Sequence, residues 1–347
     1  MNKSEIIAQF DPNSAGLKDA NIYGLPFQNE DCDIIIIPVP WEATVSYGSG
    51  AAQGPEHIFE ASFQVDLHHP QFPELWKKGI GMDSTPRHLL ELSQLVRPKA
   101  EQIISMHEEG LDISLSAEGQ QLLKEVNEAC ESMNLWVEER TEYWMAKNKK
   151  VALLGGDHST PLGYYRAMHK KHGKFGILHI DAHMDLRIAY EGFEYSHASV
   201  MYNALKNEQL TQLTQVGIRD YCAQEDQVVK DNNSRIDVFT DFKMQSQQFE
   251  GDTWKMICDE IIETLPENIL ISFDIDGFDA TLCPNTGTPV PGGLSYAQSL
   301  YLLNAAAQKR NLLGFDLVEV APGGDDWNGN VGARLLFHLC GLLEMKK

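Results

Sequence analysis

Seven short runs along the chain are apolar on both faces: "DIIIIPVP" (33–40), "KVALLGG" (150–156), "FGILHIDA" (175–182), "LTQVGI" (213–218), "IDVFTD" (236–241), "NILISFDID" (268–276) and "LLGFDLVEV" (312–320). None alternates polar with apolar. That is the pattern of strands covered by helices on both sides, as in a parallel sheet. Segments of helical length separate most of them. "TPLGYYRAMHKKHG" predicts a helix stopped at Gly173, and "SYAQSLYLLNAAAQKRN" predicts one N-capped by Ser295. Strand and helix in repetition make βαβ units, hence an α/β fold. Residues 66–149 break the rhythm: they are charged, predict helices over about 97–110 and 117–147, and show no strand. They read as a helical insertion packed on the sheet. With no Pro/Gly/Ser linker, low-complexity tract or repeat, 1–347 reads as one domain. The terminal "ARLLFHLCGLLEMKK" has helical apolar spacing, and its basic end suits the helix dipole; it is expected to cover the sheet or an oligomer contact.

In such folds, ligands bind beyond the carboxyl ends of the strands. The polar residues gather there. Asp157 and His158 end one run; Asp181, His183 and Asp185 end the next; Asp274, Asp276 and Asp279 end a third; Glu319 ends the last. Alternate residues of an extended segment share a side, so Asp181, His183 and Asp185 are expected to face one point, and Asp274 with Asp276 likewise. Carboxylates packed this closely repel and take up protons unless a cation intervenes, and four of them balance two divalent ions. Each piece alone has a bland explanation: a solvated acidic loop, a helix cap from Asp157 and Ser159, a core histidine at 158. Their joint occurrence at separate strand ends points to metal. Oxygen-rich ligation with two imidazoles suits Mn²⁺ better than structural zinc.

Composition narrows the partners. A formal charge of −22 argues against nucleic acid or an anionic membrane and is compatible with a small cationic substrate. The first residues carry no apolar signal core, and no run reaches the ~20 apolar residues that span a bilayer. Six cysteines without CxxC spacing fit reduced thiols and a cytoplasmic location.

"GGDHS" (155–159), "DAHMD" (181–185), "SFDIDGFD" (272–279) and "GTPVPGGLS" (287–295) resemble the signatures of the arginase/agmatinase family of ureohydrolases, and "WEATVSYGSGAAQGPEHIFEAS" (41–62) resembles its glycine-rich amino-terminal segment. The resemblance implies a three-layer α/β/α arginase-like fold with a mostly parallel sheet. It implies two Mn²⁺ per chain, one held by His158, Asp181, Asp185 and Asp274, the other by His183, Asp181, Asp274 and Asp276. It further implies that His197 handles protons, that Glu319 grips a guanidinium, and that the chain is a homo-oligomer, a trimer or hexamer. Two cations sharing one water lower its pKa and supply a nucleophile that the delocalised guanidinium carbon needs. Asp185 is placed to accept a hydrogen bond from that nucleophile. Ala280, Ala321 and Gln53 depart from the family's usual residues without touching a metal ligand.

The substrate tail is expected at "LRIAYEGFEYS" (186–196). Arg187, matching a "DLR" of formimidoylglutamases, suits a carboxylate; Glu191 and Glu194 suit a second cation. Together with "GTPVPGGLS" they favour agmatine, cleaved to putrescine and urea in polyamine metabolism. Formimidoylglutamate, guanidinobutyrate, arginine and guanidine stand as alternatives. A two-metal phosphoesterase would call for more Lys or Arg at the metals than Arg187 alone. Deacetylases of the ancestral fold carry a single zinc. A non-catalytic family member should have lost metal ligands, and all six are present.

Overall fold

The computed structural model describes residues 2–16 and 20–345. Eight strands, β1 (Ile34–Val39), β2 (Ile80–Met82), β3 (Lys150–Gly155), β4 (Phe175–Ile180), β5 (Leu210–Ile218), β6 (Ile236–Thr240), β7 (Asn268–Asp274) and β8 (Asn311–Val318), form one sheet in the order β2-β1-β3-β8-β7-β4-β5-β6. Every pairing is parallel. The seven apolar runs thus become strands; the interiors of β1, β3, β4 and β7 are buried on both faces, while β6, at the edge, exposes Asp237.

The helices are α1 (Lys3–Gln9), α2 (Gly54–Ser62), α3 (Arg87–Glu108), α4 (Ala117–Ala146), α5 (Leu162–His172), α6 (Val200–Leu205), α7 (Ala223–Asp231), α8 (Asp241–Glu250), α9 (Trp254–Thr264), α10 (Tyr296–Lys309) and α11 (Trp327–Leu343). Helices α3, α4, α5 and α6 pack in succession, as do α2, α11, α10 and α9, giving helical layers on the sheet and a three-layer α/β/α architecture. Gly173 closes α5 with φ 72°, and Ser295 with Gln298 forms a capping box on α10. Among the described residues, no helix is long and apolar enough to cross a membrane. The basic end expected after α11, Lys346 and Lys347, lies outside the described residues.

Two expectations change. Residues 66–149 are not wholly helical: Ile80–Met82 adds β2 to the edge of the sheet, beside β1. Three residues are too few to show a pattern. This edge is blunted by side chains: Asn21 Oδ1 accepts from the Met82 amide at 2.8 Å, and Asn29 Nδ2 donates to its carbonyl at 3.1 Å. Helix α3 begins at Arg87, well before Pro98. A start near Pro98 follows proline's preference for the first turn, but here the helix carries the proline inside, at the loss of one backbone bond.

Strand order reverses between β3 and β4, which lie on opposite sides of the β8–β7 pair. The carboxyl ends of these four strands surround a crevice at that switch point.

Candidate metal centre

His158 follows β3, Asp181 follows β4, and Asp274 ends β7. Together with Asp185 they converge. His158 Nδ1 lies 3.0 Å from Asp181 Oδ2, 3.1 Å from Asp185 Oδ2 and 3.1 Å from Asp274 Oδ2. Although so close to three oxygens, this fully buried nitrogen is aligned for a hydrogen bond with none of them. An atom aimed between three carboxylates has the disposition of a metal ligand, not of an ion pair. A second cluster adjoins it: His183 Nδ1 is 3.1 Å from Asp276 Oδ2 and 3.4 Å from Asp181 Oδ1. Asp181 belongs to both, one oxygen to each. The donor set therefore fits two hard or borderline cations.

Three of the four carboxylates have one oxygen held by a backbone N–H. Asp181 Oδ1 accepts from His183 N, Asp276 Oδ1 from Ala182 N, and Asp274 Oδ1 from Asp276 N. The segment after Ile180 is not extended throughout, so Asp181, His183 and Asp185 do not all face one point. β4 stops at Ile180, and Asp185 is left-handed with φ 54°, so the chain turns back to present Asp185 to His158 while His183 serves the second cluster.

The electrostatics favour bound positive charge. Burial would lower the His158 imidazole, yet the carboxylates of Asp181, Asp185 and Asp274 raise it well above its ordinary value. Burial, then the Asp181 carboxylate, pushes Asp185 up to about 7; burial with Asp276 and Asp181 holds Asp274 well above the usual range. His183 rises to about 12 through Asp276 and Asp181, against the opposing effect of burial.

A cavity of about 170 Å³ opens over the cluster, lined by both histidines, Asp185, Arg187, Tyr190, His197 and Glu319, among others. Glu319 is left-handed, φ 63°; its amide donates to the Gly156 carbonyl and its own carbonyl accepts from Thr286 Oγ1. Its Oε1 accepts the His158 amide at 2.8 Å. Burial and the nearby Asp157 raise its carboxyl well above the ordinary value, as suits a group awaiting a cation. His197 is part-buried on the same cavity. Burial first, then His183 and His158, push its imidazole down to about 3. A lowered imidazole favours the neutral form of His197 in this cavity.

The tail residues divide. Arg187 lines the cavity, stacks on Tyr190 with its guanidinium carbon 4.5 Å from the ring centre, and points Nε at Glu225 Oε2, 3.8 Å away. Glu191, at φ 54°, has a buried Oε2 without a partner but does not line the cavity. Glu194 is exposed, 3.7 Å from Lys206, and faces a different cavity. The loop doubles back in a short Tyr190–Phe193 bridge, which carries Glu194 away from the metals. Asp279 stays out of both clusters and caps its own turn, accepting from Thr281.

Several residues were not singled out in the sequence. His179, within β4, donates from Nε2 to Asp181 Oδ2 at 2.7 Å, while Gln215 Nε2 donates to His179 Nδ1 at 3.0 Å. Both its nitrogens are thus used, and it supports the shared aspartate instead of binding a cation. Ser272, Asp316 and Tyr165 lie behind His158, and Glu225 behind Arg187. The signal was there: a histidine, a serine and an aspartate inside strands apolar on both faces each demand a buried partner.

A family model described as the Arginase family matches residues 32–341. An N(1)-aminopropylagmatine ureohydrolase of Thermus thermophilus is 31% identical over 313 residues, covering 90% of this chain and 91% of that one. The crystal structure of an agmatine ureohydrolase of Thermoplasma volcanium superposes with a TM-score of 0.67 at 23% identity, covering 98% of this chain and 97% of that one. A Trypanosoma cruzi formiminoglutamase solved with Mn²⁺ superposes at 0.68 with 16% identity, covering 92% and 96%.

Proposed function

The chain belongs to the arginase family, and from that premise we propose that it hydrolyses agmatine or its amine-extended relative N(1)-aminopropylagmatine, with two Mn²⁺ per chain. Membership makes it a ureohydrolase acting on C–N bonds of linear amidines. The observation that carries the metal reading is His158 Nδ1, unbonded and 3.0–3.1 Å from three carboxylates, beside a second His–Asp cluster sharing Asp181.

When bound, the metal pair supplies Lewis-acid activation of a water molecule. The protein's own groups do the rest. Glu319 holds the planar guanidinium by accepting charge-assisted hydrogen bonds from it at Oε2. Asp185 accepts a hydrogen bond from the attacking water. His197, on the cavity wall, is the group placed to pass a proton to the leaving amine, which departs protonated. For the tail, Arg187 is engaged by Glu225 and Tyr190, and exposed Asp220 adds a carboxylate to the cavity wall. That balance supports an amine at the far end of the substrate. A homo-oligomer in the cytoplasm is the setting we propose for it.

Product release from Mn²⁺-loaded protein tests this, with agmatine, N(1)-aminopropylagmatine, 4-guanidinobutyrate, arginine, guanidine and N-formimidoylglutamate in parallel. Urea from the amine-tailed guanidines is expected. Product from 4-guanidinobutyrate or formimidoylglutamate alone would put Arg187 on a carboxylate and overturn the substrate assignment.

A further inference from the structure

Behind the metal-facing histidine lies a buried polar network that no step of the hydrolysis uses. His158 Nε2 is 3.0 Å from Ser272 Oγ. Ser272 Oγ donates to Asp316 Oδ1 at 2.8 Å. The Tyr165 hydroxyl is 2.9 Å from both Asp316 Oδ2 and Ser272 Oγ. All are buried, with Tyr165 1% exposed and Ser272 and Asp316 0%. The sheet itself sets the pairing, since Ser272 on β7 is the register partner of Asp316 on β8.

Counting protons gives the network a direction. A carboxylate only accepts. Two hydroxyls meet the two oxygens of Asp316. Ser272 has a single proton, and it is spent on Asp316, so Ser272 turns lone pairs toward His158. Nε2 must then carry hydrogen, and Nδ1, facing the carboxylates, keeps its lone pair for a cation. Were Ser272 free to donate to Nε2, the imidazole proton would move to Nδ1, against the cation. We propose that Asp316 and Tyr165 are positioning residues that fix the metal-binding tautomer of His158 through the hydroxyl of Ser272. This rests on the metal reading of the site, and it assigns work to residues that touch neither metal nor substrate.

The test is Mn²⁺ titration of the metal-free full-length chain, read as affinity per site, alongside thermal unfolding of the same metal-free proteins. Ser272→Ala removes the acceptor and Asp316→Leu frees the serine proton. Each should weaken one of the two sites by ~10–100-fold and leave the other unchanged, the usual effect of losing a metal ligand's outer partner. Combined, they should weaken it no more than either alone. Tyr165→Phe keeps the volume and fold and should weaken the same site by a smaller factor. Variants that unfold at lower temperature yet keep wild-type affinity at both sites would reduce the network to structure and overturn the proposal. Loss of affinity equally at both sites would also overturn it. A wild-type chain that binds no Mn²⁺ would refute the metal reading, and this proposal with it.

Discussion

Asp185 holds a left-handed backbone, a conformation that costs a non-glycine residue ~1–3 kcal/mol and persists only when its surroundings enforce it. Here they do. Its carbonyl accepts the Met201 and Tyr202 amides at the start of α6, and the following amide, Leu186 N–H, donates to buried Glu225. Glu319, at φ 63°, is fixed in the same way. Strain at two site residues is paired with hydrogen bonds that only the folded protein supplies, which is why the sequence could name Asp185 but not its backbone. The residues that cluster at the crevice were legible because His158, Asp181, His183, Asp274 and Asp276 sit where apolar strands end. Their supports were not, because His179, Ser272 and Asp316 sit inside strands and their partners come from other strands and helices. Two substitutions separate roles. Asp274→Ala should abolish turnover and release metal, read by metal analysis. His197→Ala should lower turnover by ~10²–10⁴-fold, the usual worth of a proton-transfer group, with metal content unchanged; simultaneous metal loss would contradict a proton role.

At the scale of elements, apolar runs located every strand but β2, and glycine and serine located the ends of α5 and α10. What composition hides is how closely elements pack. Gly163 lies in the first turn of α5, where alanine is favoured by ~1 kcal/mol on propensity alone. A Cβ there would sit 2.0 Å from the Asn134 carbonyl of α4. The collision outweighs the propensity, so Gly163→Ala should destabilise the protein by about 1–3 kcal/mol or more, measured by denaturant unfolding. A gain in stability would mean that α4 and α5 are further apart than described. The helical insertion is thus packed on α5 through a glycine contact two residues from Tyr165 of the network behind His158.

For the whole molecule, buried carboxylates cost stability, and at Asp185 a bound cation would restore part of it. Asp185 and Asp157 are raised to about 7 and Asp316 to about 6, chiefly by burial, from an ordinary value of 3.8. A carboxylate raised on folding binds its proton more tightly in the native state. Its stabilising contribution is therefore full below pH 3.8 and is lost as pH rises through the folded value. The metal-free protein should lose stability between about pH 4 and 7 from these groups, and Mn²⁺ should raise the unfolding temperature more at pH 8 than at pH 5. An equal rise at both would contradict the electrostatics described. The chain's charge of −22 acts at the same scale, drawing a cationic substrate toward the cavity, an attraction that salt should weaken.

The central claim is that two cations on these residues make the chain a C–N hydrolase. Its most direct test is urea release from agmatine, followed while Mn²⁺ is added back to the metal-free chain. The account predicts no turnover without metal and a rise that levels off at two equivalents per chain. Turnover that survives complete chelation, or that saturates at one equivalent, would contradict it.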